Sequence, residues 1–418
     1  MKTTFKLVAI LLTACAWAHA QVVPEATGPA RLPVSGNLHY SLRYSQTASF
    51  YGASQGNQLS SIASADVDYV HPNTRLPFKL DYGGGYMWAL AGPSYGEGVF
   101  QHLLISQGLI GRKWNVTVSD NVSYTPQAPT TGFSGIPGTG EPIGGSGSNP
   151  PTSQSILTLN TRSVSNIASG EFGYNLNYAT TLSLGANSVL LRYPDGNGLD
   201  TDGLQANTGL TRRLDARNSI SGRYMFSHFS YGSSTFTDGS PGTFDTNSAL
   251  FSYQRTWGRQ LKTNVSVGPQ WTDGSNSAIV PPSTNITVSA GVNWMLRSES
   301  ASLNYNRGIN GGVGYLPAGT VDSVNGDFSR EFGRDLTIGL TGAYERTASL
   351  QTSGGVTEAR YGGAQATRRL GRYLNVVASY SAIDQSSSLT SQTNVLNQLY
   401  QVISFGIAYS PRETHLRQ

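Results

Sequence analysis

The feature that most constrains how this chain folds is a strict alternation of apolar and polar side chains over long segments. In residues 284–296, for example, six apolar side chains alternate with polar or small ones. Because successive side chains of a strand point to opposite faces, a period of two predicts β-strands with one apolar and one polar face. The segments run for about 10–13 residues, roughly twice the usual length of strands in soluble proteins. A tilted strand that crosses a membrane needs about 9–11 residues, which matches them.

Short polar turns, often flanked by arginine, alternate with longer loops along the chain. The eight predicted short turns lie at 71–76, 112–113, 179–181, 212–217, 255–259, 297–300, 330–335 and 368–372. The longer loops lie at 92–97, 194–202, 233–242, 272–282, 311–319, 348–355 and 384–392. Eight short turns separate nine hairpins, so the pattern predicts an all-β fold, a closed antiparallel transmembrane β-barrel of about 18 strands, with 16 as the alternative. Closure is needed because no unpaired strand edge can face lipid.

The first 20 residues are typical of an export signal. Lys2 and Lys6 precede an apolar stretch at 7–14, and an A-x-A cleavage site follows at 18–20. A competing interpretation takes Cys15 as the lipidated cysteine of a lipobox. The predicted organisation is a signal peptide at 1–20, a proline-rich periplasmic lead-in at 21–36, an outer-membrane barrel at 37–410 and a C-terminal extension at 411–418.

Composition excludes several classes of protein. Charged residues make up only 12% of the chain, and its formal net charge is +4, or about +2 without the two signal lysines, so there is no basic footprint for nucleic acid. Cys15 is the only cysteine, which excludes disulfides and cysteine-ligated metals. Beyond the signal, no run of 18 apolar residues predicts a transmembrane helix.

Aromatic side chains recur near the ends of the alternating segments. Outer-membrane barrels carry such residues in two girdles, where an amphipathic ring contacts both lipid and water. The candidates for the membrane interfaces are Trp88, Tyr124, Tyr231, Trp271, Tyr344 and Tyr380 near the longer loops, and Trp114 and Trp294 near the short turns.

Taken over residues 37–410, this pattern resembles the broad group of bacterial outer-membrane β-barrel porins. The last strand, at 401–410, resembles the signal read by the barrel-assembly machinery, with Ser404, Gly406 and Tyr409 at its polar, glycine and aromatic positions. It departs from the usual pattern because the chain continues beyond the strand. The resemblance implies location in the cell outer membrane, contact with lipid and lipopolysaccharide, and passive transport, often as a homo-oligomer.

A barrel of 16–18 strands leaves an aqueous channel, so the polar faces are expected to line a pore. They carry mainly Ser, Thr, Asn, Gln and Gly, with few charges. The charged pore-lining candidates are Arg43, Asp66, Asp68, Lys79, Asp81, Arg223 and Arg360. A lumen of mixed sign and low charge predicts weak ion selectivity and passage of neutral polar solutes.

Other segments offer weaker hypotheses. The Gly-, Pro- and Ser-rich stretch at 126–154 is either a constriction loop or an extracellular loop. Oxygen-rich side chains at Asp195, Asn197, Asp200 and Asp202 could bind Ca²⁺, although Leu199 breaks the EF-hand spacing and such residues also form ordinary turns.

Catalysis finds no support in residue spacing. Asp66, Asp68 and Asp81 could meet inside the lumen near His39, yet no nucleophile–base pair has supporting spacing, so neither an enzyme nor a cofactor is predicted. The predicted function is a porin-like channel for small hydrophilic solutes. Two alternatives remain: an outer-membrane component of exopolysaccharide or protein export, with a plugged or gated lumen, and a structural or adhesive barrel whose loops bind.

Overall fold

The computed structural model describes residues 35–50, 56–73, 75–92, 97–125, 162–196, 198–232, 241–276, 280–311, 318–351, 355–388, 398–411 and 414–417. The predicted signal peptide, the lead-in up to residue 34, the stretch 126–154 and Asn197 lie outside the described residues. Among the described residues, no helix is long and apolar enough to span a membrane.

Long strands make up nearly all of the described chain. They are β1 (Ser35–Phe50), β2 (Asn57–His71), β3 (Phe78–Ala91), β4 (Gly98–Ile110), β5 (Trp114–Thr125), β6 (Ser163–Asn175), β7 (Thr180–Arg192), β8 (Thr201–Arg213), β9 (Asn218–Tyr231), β10 (Gly242–Trp257), β11 (Leu261–Gly274), β12 (Ser283–Met295), β13 (Glu299–Gly311), β14 (Ala318–Phe332), β15 (Leu336–Ser349), β16 (Val356–Arg369), β17 (Leu374–Ser387) and β18 (Gln398–Tyr409). A short strand, β19 (Thr414–Arg417), also pairs with β1.

The barrel closes where the first long strand meets the last. Each of β1 to β17 pairs antiparallel with the strand that follows it, and β1 also pairs antiparallel with β18 from Leu42↔Tyr409 to Phe50↔Gln401. The prediction of a closed antiparallel barrel is therefore confirmed, with 18 strands in the ring rather than 16.

The connections at one end of the barrel, the turn end, have three to six residues, and those at the other, the loop end, have six or more. The turns at 258–260 and 333–335 contain three residues each, and Gly258 and Gly333 both have a φ of 69°. A left-handed conformation of this kind carries little penalty for glycine, which is why glycine occupies these tight turns. The third turn lies at 176–179 rather than at 179–181, because Thr180 already begins β7.

The two faces of each strand divide as the alternation predicts. Leu42, Ile286 and Phe405 are 52%, 59% and 58% exposed, so the apolar face points outward. Residues paired across an antiparallel ladder share a face, so the register extends this assignment from strand to strand. The polar face consequently points into the lumen.

Charged side chains bound an uncharged band on the outward face. On β10 the outward side chains between Asp245 and Arg255 are all uncharged, and the same holds on β8 between Asp202 and Arg212. Ten residues span about 33 Å along a strand, which is about 25 Å of height at a tilt near 40°, the height of the apolar band of outer-membrane barrels.

One outward charge lies inside this band. Asp120 stands near the middle of β5 on the same face as Val118 and Val122. The side-chain amide of Asn166 on β6 donates a hydrogen bond of 2.6 Å to its carboxylate. The neighbouring strand thus supplies the polar partner that a carboxyl group facing lipid requires.

Closure of the barrel can be tested at Gly406 on β18. A Cβ atom at this position would lie 2.7 Å from both the Cβ of Ser45 and the carbonyl oxygen of Tyr44 on β1. We expect Gly406→Val to lower the free energy of unfolding by about 1–3 kcal/mol, the usual cost of overpacking. The matched control is Gly362→Val, where a Cβ would have no neighbour within 4 Å. Urea unfolding in lipid vesicles, followed by tryptophan fluorescence, measures both; equal losses would contradict the described packing of β1 against β18.

Candidate functional site

Five of the predicted pore-lining charges lie together on the lumen wall formed by β1 to β3. Arg43 alternates with the exposed, outward Leu42 and Tyr44. The register carries the inward face onward through three pairs of residues: Ser41↔Asp66, Asp68↔Asp81 and Val70↔Lys79. The sequence singled these charges out separately, and the register brings them to one side of the lumen.

Within this patch, acidic and basic groups compensate each other. The Lys79 ammonium lies 3.7 Å from the Asp81 carboxylate, and the ring of His102 on β4 lies 4.0 Å from the same carboxylate. The Ser41 hydroxyl donates a hydrogen bond of 3.1 Å to Asp66. Short-range neutralisation of this kind weakens the field that the patch projects into the lumen, so it favours weak ion selectivity.

Sequence reasoning missed a contact between a serine and a histidine at the turn end of this patch. The Nε2 atom of His39 lies 2.8 Å from the hydroxyl of Ser410, and its Nδ1 atom lies 3.7 Å from the Asp68 carboxylate. The second distance is too long for the hydrogen bond that orients the imidazole in a catalytic triad. The contact therefore serves to tie the end of β18 to β1, where the barrel closes.

The other two pore-lining candidates have different positions. Arg223 on β9 pairs with Gly209 of β8 and faces the lumen, far along the wall from the patch. Arg360 on β16 pairs with the outward Tyr344, so its assignment to the lumen is wrong. The error arises because Tyr361, an aromatic residue, takes the inward position on this strand, whereas the sequence pattern suggests apolar side chains outside.

Most of the predicted interface aromatics lie on the outward face, but Tyr231 does not. It is 3% exposed and points into the barrel beside Phe229, so its assignment to the interface is wrong. At the loop end of β9, the outward positions hold His228 and Ser230 instead. Tyr380 is outward but stands near mid-strand in β17 rather than near the loop. The outward aromatics are Trp88, Trp114, Tyr124, Trp271, Trp294, Tyr344 and Tyr380.

An apolar cluster narrows the loop end of the lumen. Leu199 and Val280, from two loop-end connections, are fully buried against Phe229 and Phe244, whose rings stack with centroids 5.0 Å apart. Tyr231, Ala318 and Leu350 complete this mouth cluster. Connections that pack inside the wall reduce the free cross-section of the mouth.

Two smaller apolar clusters also lie on inward positions near the loop end. One contains Ile62, Met87 and Phe100 on β2 to β4. The other contains Tyr361, Ile383, Tyr400 and Val402 on β16 to β18. The sequence carries a signal for both clusters. Each of their residues is apolar and occupies a position at which the alternation predicts a polar side chain.

The loop end of β13 leaves its neighbour and lies on the lumen side of the wall. Pairing of β12 with β13 ends at Val288↔Arg307. Beyond that point the inward side chain of Gln270 on β11 donates to the carbonyl of Ile309 at 3.2 Å and accepts from its amide at 2.8 Å. One glutamine thus replaces the ladder hydrogen bonds that this segment gives up.

The candidate calcium ligands are engaged by protein groups. Asp195 accepts hydrogen bonds of 3.0 and 2.9 Å from Arg162, which hold the pKa of this carboxyl below its usual range. Asp202 binds Arg192 at 2.6 and 2.8 Å, and Asp200 accepts the backbone amide of Tyr193 at 2.8 Å. Across the described part of the chain, no three His, Cys, Asp or Glu residues are grouped to hold a metal ion.

The chain matches no family model and no curated protein. Among solved structures, it is similar to OccK2 (OpdF) of Pseudomonas aeruginosa, with 12% identity, a TM-score of 0.48, and coverage of 90% of this chain and 98% of that one. It is also similar to a BenF-like porin from Pseudomonas fluorescens Pf-5, with 12% identity, a TM-score of 0.47, and coverage of 91% and 99%. It is similar as well to OccAB3 of Acinetobacter baumannii, with 10% identity, a TM-score of 0.47, and coverage of 90% of this chain and 99% of that one. At such identities the similarity concerns the fold alone.

The lumenal charges can be tested by ion selectivity. We expect the triple variant Asp66→Asn/Asp68→Asn/Asp81→Asn to shift the reversal potential in a salt gradient toward anions, because Arg43 and Lys79 then lack their compensating carboxylates. Planar-bilayer recordings measure the shift.

The matched control for this selectivity test is the outward carboxylate Asp384 on β17, which pairs with Arg360 in the register. Asp384→Asn removes the same kind of charge outside the lumen and leaves the reversal potential unchanged. An equal shift in this control would show that the inward assignment of the three aspartates is wrong.

The mouth cluster predicts an effect on conductance. Val280→Asn buries an amide without partners at a fully buried position, which costs about 1–3 kcal/mol and releases the connection from the mouth. We expect a larger single-channel conductance than in the unchanged protein. The control is Pro282→Asn, at an exposed position of the same connection; a conductance unchanged in both variants would mean that the cluster does not limit the pore.

Proposed function

We propose that this protein is a porin-like channel of the bacterial outer membrane, through which small hydrophilic solutes diffuse passively. One observation carries the proposal: a closed barrel of 18 strands has an outward uncharged band about as tall as the apolar band of outer-membrane barrels and a polar inward wall. A barrel of this size has room for water along its axis. Soluble proteins rarely expose a continuous band of apolar side chains of this size.

The arrangement of connections supports an orientation in the membrane. Outer-membrane barrels have short turns on the periplasmic side and longer loops outside the cell. By this criterion the turn end is periplasmic, and the mouth cluster of Leu199, Val280 and their neighbours lies at the extracellular opening. The outward face then contacts phospholipid near the turns and lipopolysaccharide near the loops.

The composition of the lumen wall favours the passage of solutes that are small, polar and of low charge. The patch around Asp66 and Asp81 is internally compensated by Lys79 and Arg43, so no single sign dominates that side of the lumen. The mouth cluster restricts the size of what enters. Both features favour sugars and other neutral hydrophilic molecules over large or highly charged ones.

The assembly partners are also a proposal. The last strand, β18, fits the C-terminal signal of the barrel-assembly machinery through Ser404, Gly406 and Tyr409. In this strand Ile403, Phe405 and Ile407 are half or more exposed and alternate with the inward Ser404 and Gly406. Association into a homo-oligomer would place part of the outward band against a second copy.

A second candidate function is supported by the buried clusters at the mouth. Connections that pack inside the wall, and the inward-lying end of β13 at Ile309, are features that a gated export channel would share with a narrow porin. An export partner would remain closed in isolation and open only with its inner-membrane and periplasmic components.

Single-channel recording tests the proposed function. The mature protein, refolded and shown to be folded by heat-modifiable gel mobility, is expected to give steady, ohmic conductance steps with little preference for cations or anions. A silent bilayer from correctly folded protein would contradict the porin and favour a gated export partner or a structural barrel.

A further inference from the structure

The basic side chains of this protein are concentrated at the turn end. Of its 28 lysines and arginines, sixteen lie in a short turn or within three residues of one, with only four acidic residues in the same segments. The basic residues are Arg75, Lys79, Arg112, Lys113, Arg212, Arg213, Arg217, Arg255, Arg259, Lys262, Arg297, Arg330, Arg334, Arg368, Arg369 and Arg372. The acidic residues are Asp215, Glu299, Glu331 and Asp335. The turn end therefore carries a large positive excess.

Basic residues at the two ends of the barrel differ in whether protein groups neutralise them. At the loop end, all five described arginines lie within 4.0 Å of a carboxylate. These pairs are Arg162–Asp195, Arg192–Asp202, Arg307–Asp322, Arg346–Glu358 and Arg360–Asp384. At the turn end, only Lys79 and Arg330 of the sixteen form such a pair within the described residues. Within the described residues, the positive charge at the turn end is therefore largely uncompensated by carboxylates of the protein.

A cleft at the turn end is lined by two of these arginines. It has a volume of about 420 Å³ and lies between the turn that joins β6 to β7 and the turn that joins β8 to β9. Its walls contain Tyr178, Ala179, Arg212, Arg213 and Asp215. Arg213 donates a hydrogen bond of 2.8 Å to the carbonyl of Tyr178, which holds its guanidinium at the cleft and leaves other N–H groups to bind a ligand.

The one carboxylate of the cleft does not neutralise these arginines. Asp215 accepts hydrogen bonds from the backbone amides of Arg217 at 2.6 Å and Asn218 at 2.9 Å, and from the Asn218 side chain at 2.6 Å. These bonds lower the pKa of the Asp215 carboxyl and hold the carboxylate against the backbone of its own turn. Because two guanidinium groups line the cleft against this one carboxylate, the cleft keeps a positive excess, which favours an anion with several acceptor oxygens.

The surroundings of the cleft are those of a lipid headgroup. Tyr178 is 91% exposed and Leu214 is 54% exposed, so apolar surface borders the two guanidinium groups. Arg212 lies on the outward face, at the edge of the uncharged band. On β10, the guanidinium carbon of Arg255 lies 3.8 Å from the centroid of the Trp257 ring, and Trp257 itself is 48% exposed. Arginine and exposed aromatic rings occur together where headgroups meet acyl chains.

We propose that the cleft between these two turns binds the phosphate of an anionic phospholipid, with Arg212 of the outward face as its ligand and Arg213, which lines the same cleft from the inward face, adding positive charge. Guanidinium groups bind phosphate oxygens through paired hydrogen bonds, and a phosphodiester offers such oxygens at this depth. The inference rests on the proposed function, because the turn end meets phospholipid only if the barrel is inserted with its turns toward the periplasm. The other turn-end arginines add a diffuse attraction for the same leaflet.

Lipid binding tests this site directly. Folded, detergent-purified protein is titrated with phosphatidylglycerol or with phosphatidylcholine of the same acyl chains, and bound lipid is counted by native mass spectrometry. We expect a clear preference for phosphatidylglycerol, and a loss of its binding in Arg212→Gln/Arg213→Gln of roughly thirtyfold, as two basic groups near a lipid surface contribute.

The control variant is Arg192→Gln/Arg360→Gln, which removes two arginines from the loop end and keeps the same net charge as the test variant. It should bind phosphatidylglycerol as the unchanged protein does. Equal binding of the two lipids, or an equal loss in both variants, would overturn the proposal. Competition by inorganic phosphate at the same concentration as the lipid would also overturn it, because the ligand would then be a soluble anion.

The outcome can be separated from failure of the proposed function. Heat-modifiable mobility of each variant shows that the barrel has formed, and channel conductance is recorded from the same preparation. Absence of conductance together with selective lipid binding would contradict the porin and leave the lipid site intact. Normal conductance without lipid selectivity would contradict the lipid site alone.

Discussion

The structure depends on the pairing of backbone amide and carbonyl groups within a medium that offers them no water. Every long strand has a neighbour on both sides, and the ring is completed by the antiparallel register of β1 with β18. Because an unpaired edge in hydrocarbon costs several kcal/mol per group, the ring of strands must be closed. The side chains then divide into an outward apolar set and an inward polar set, and each property of the molecule follows from the face on which a residue lies.

At the loop end the wall departs from this regularity, and the departures all act on the lumen. Beyond Val288↔Arg307, the backbone of Ile309 is held by the side chain of Gln270 instead of by a neighbouring strand. Leu199 and Val280 reach inward to bury themselves against aromatic residues of β9 and β10. In the turn-side half of the barrel the strands pair regularly, whereas in the loop-side half inward-packed side chains and backbone reduce the width of the lumen.

The fold could be predicted from the sequence because its controlling signal is local. A period of two, short turns and longer loops determine strand number, topology and the general assignment of faces, and the ring of 18 strands agrees with that prediction. Individual side chains near the strand ends were harder. Arg360 and Tyr231 were assigned to the wrong faces, since beyond the lipid band a charge can stand outside and an aromatic ring can stand inside without penalty. Contacts such as His39 with Ser410 join residues 371 positions apart, which no local pattern reports.

The pairing of β1 with β18 also determines when the barrel can close. Thr47 and Ser404 are hydrogen-bonded across this junction although 357 positions separate them in the chain. The first strand has nothing to close against until the final strand is present, so a chain without β18 would expose two open edges. Closure therefore depends equally on the two ends of the barrel segment: loss of either β1 or β18 would leave two strand edges unpaired, however regular the remaining strands are.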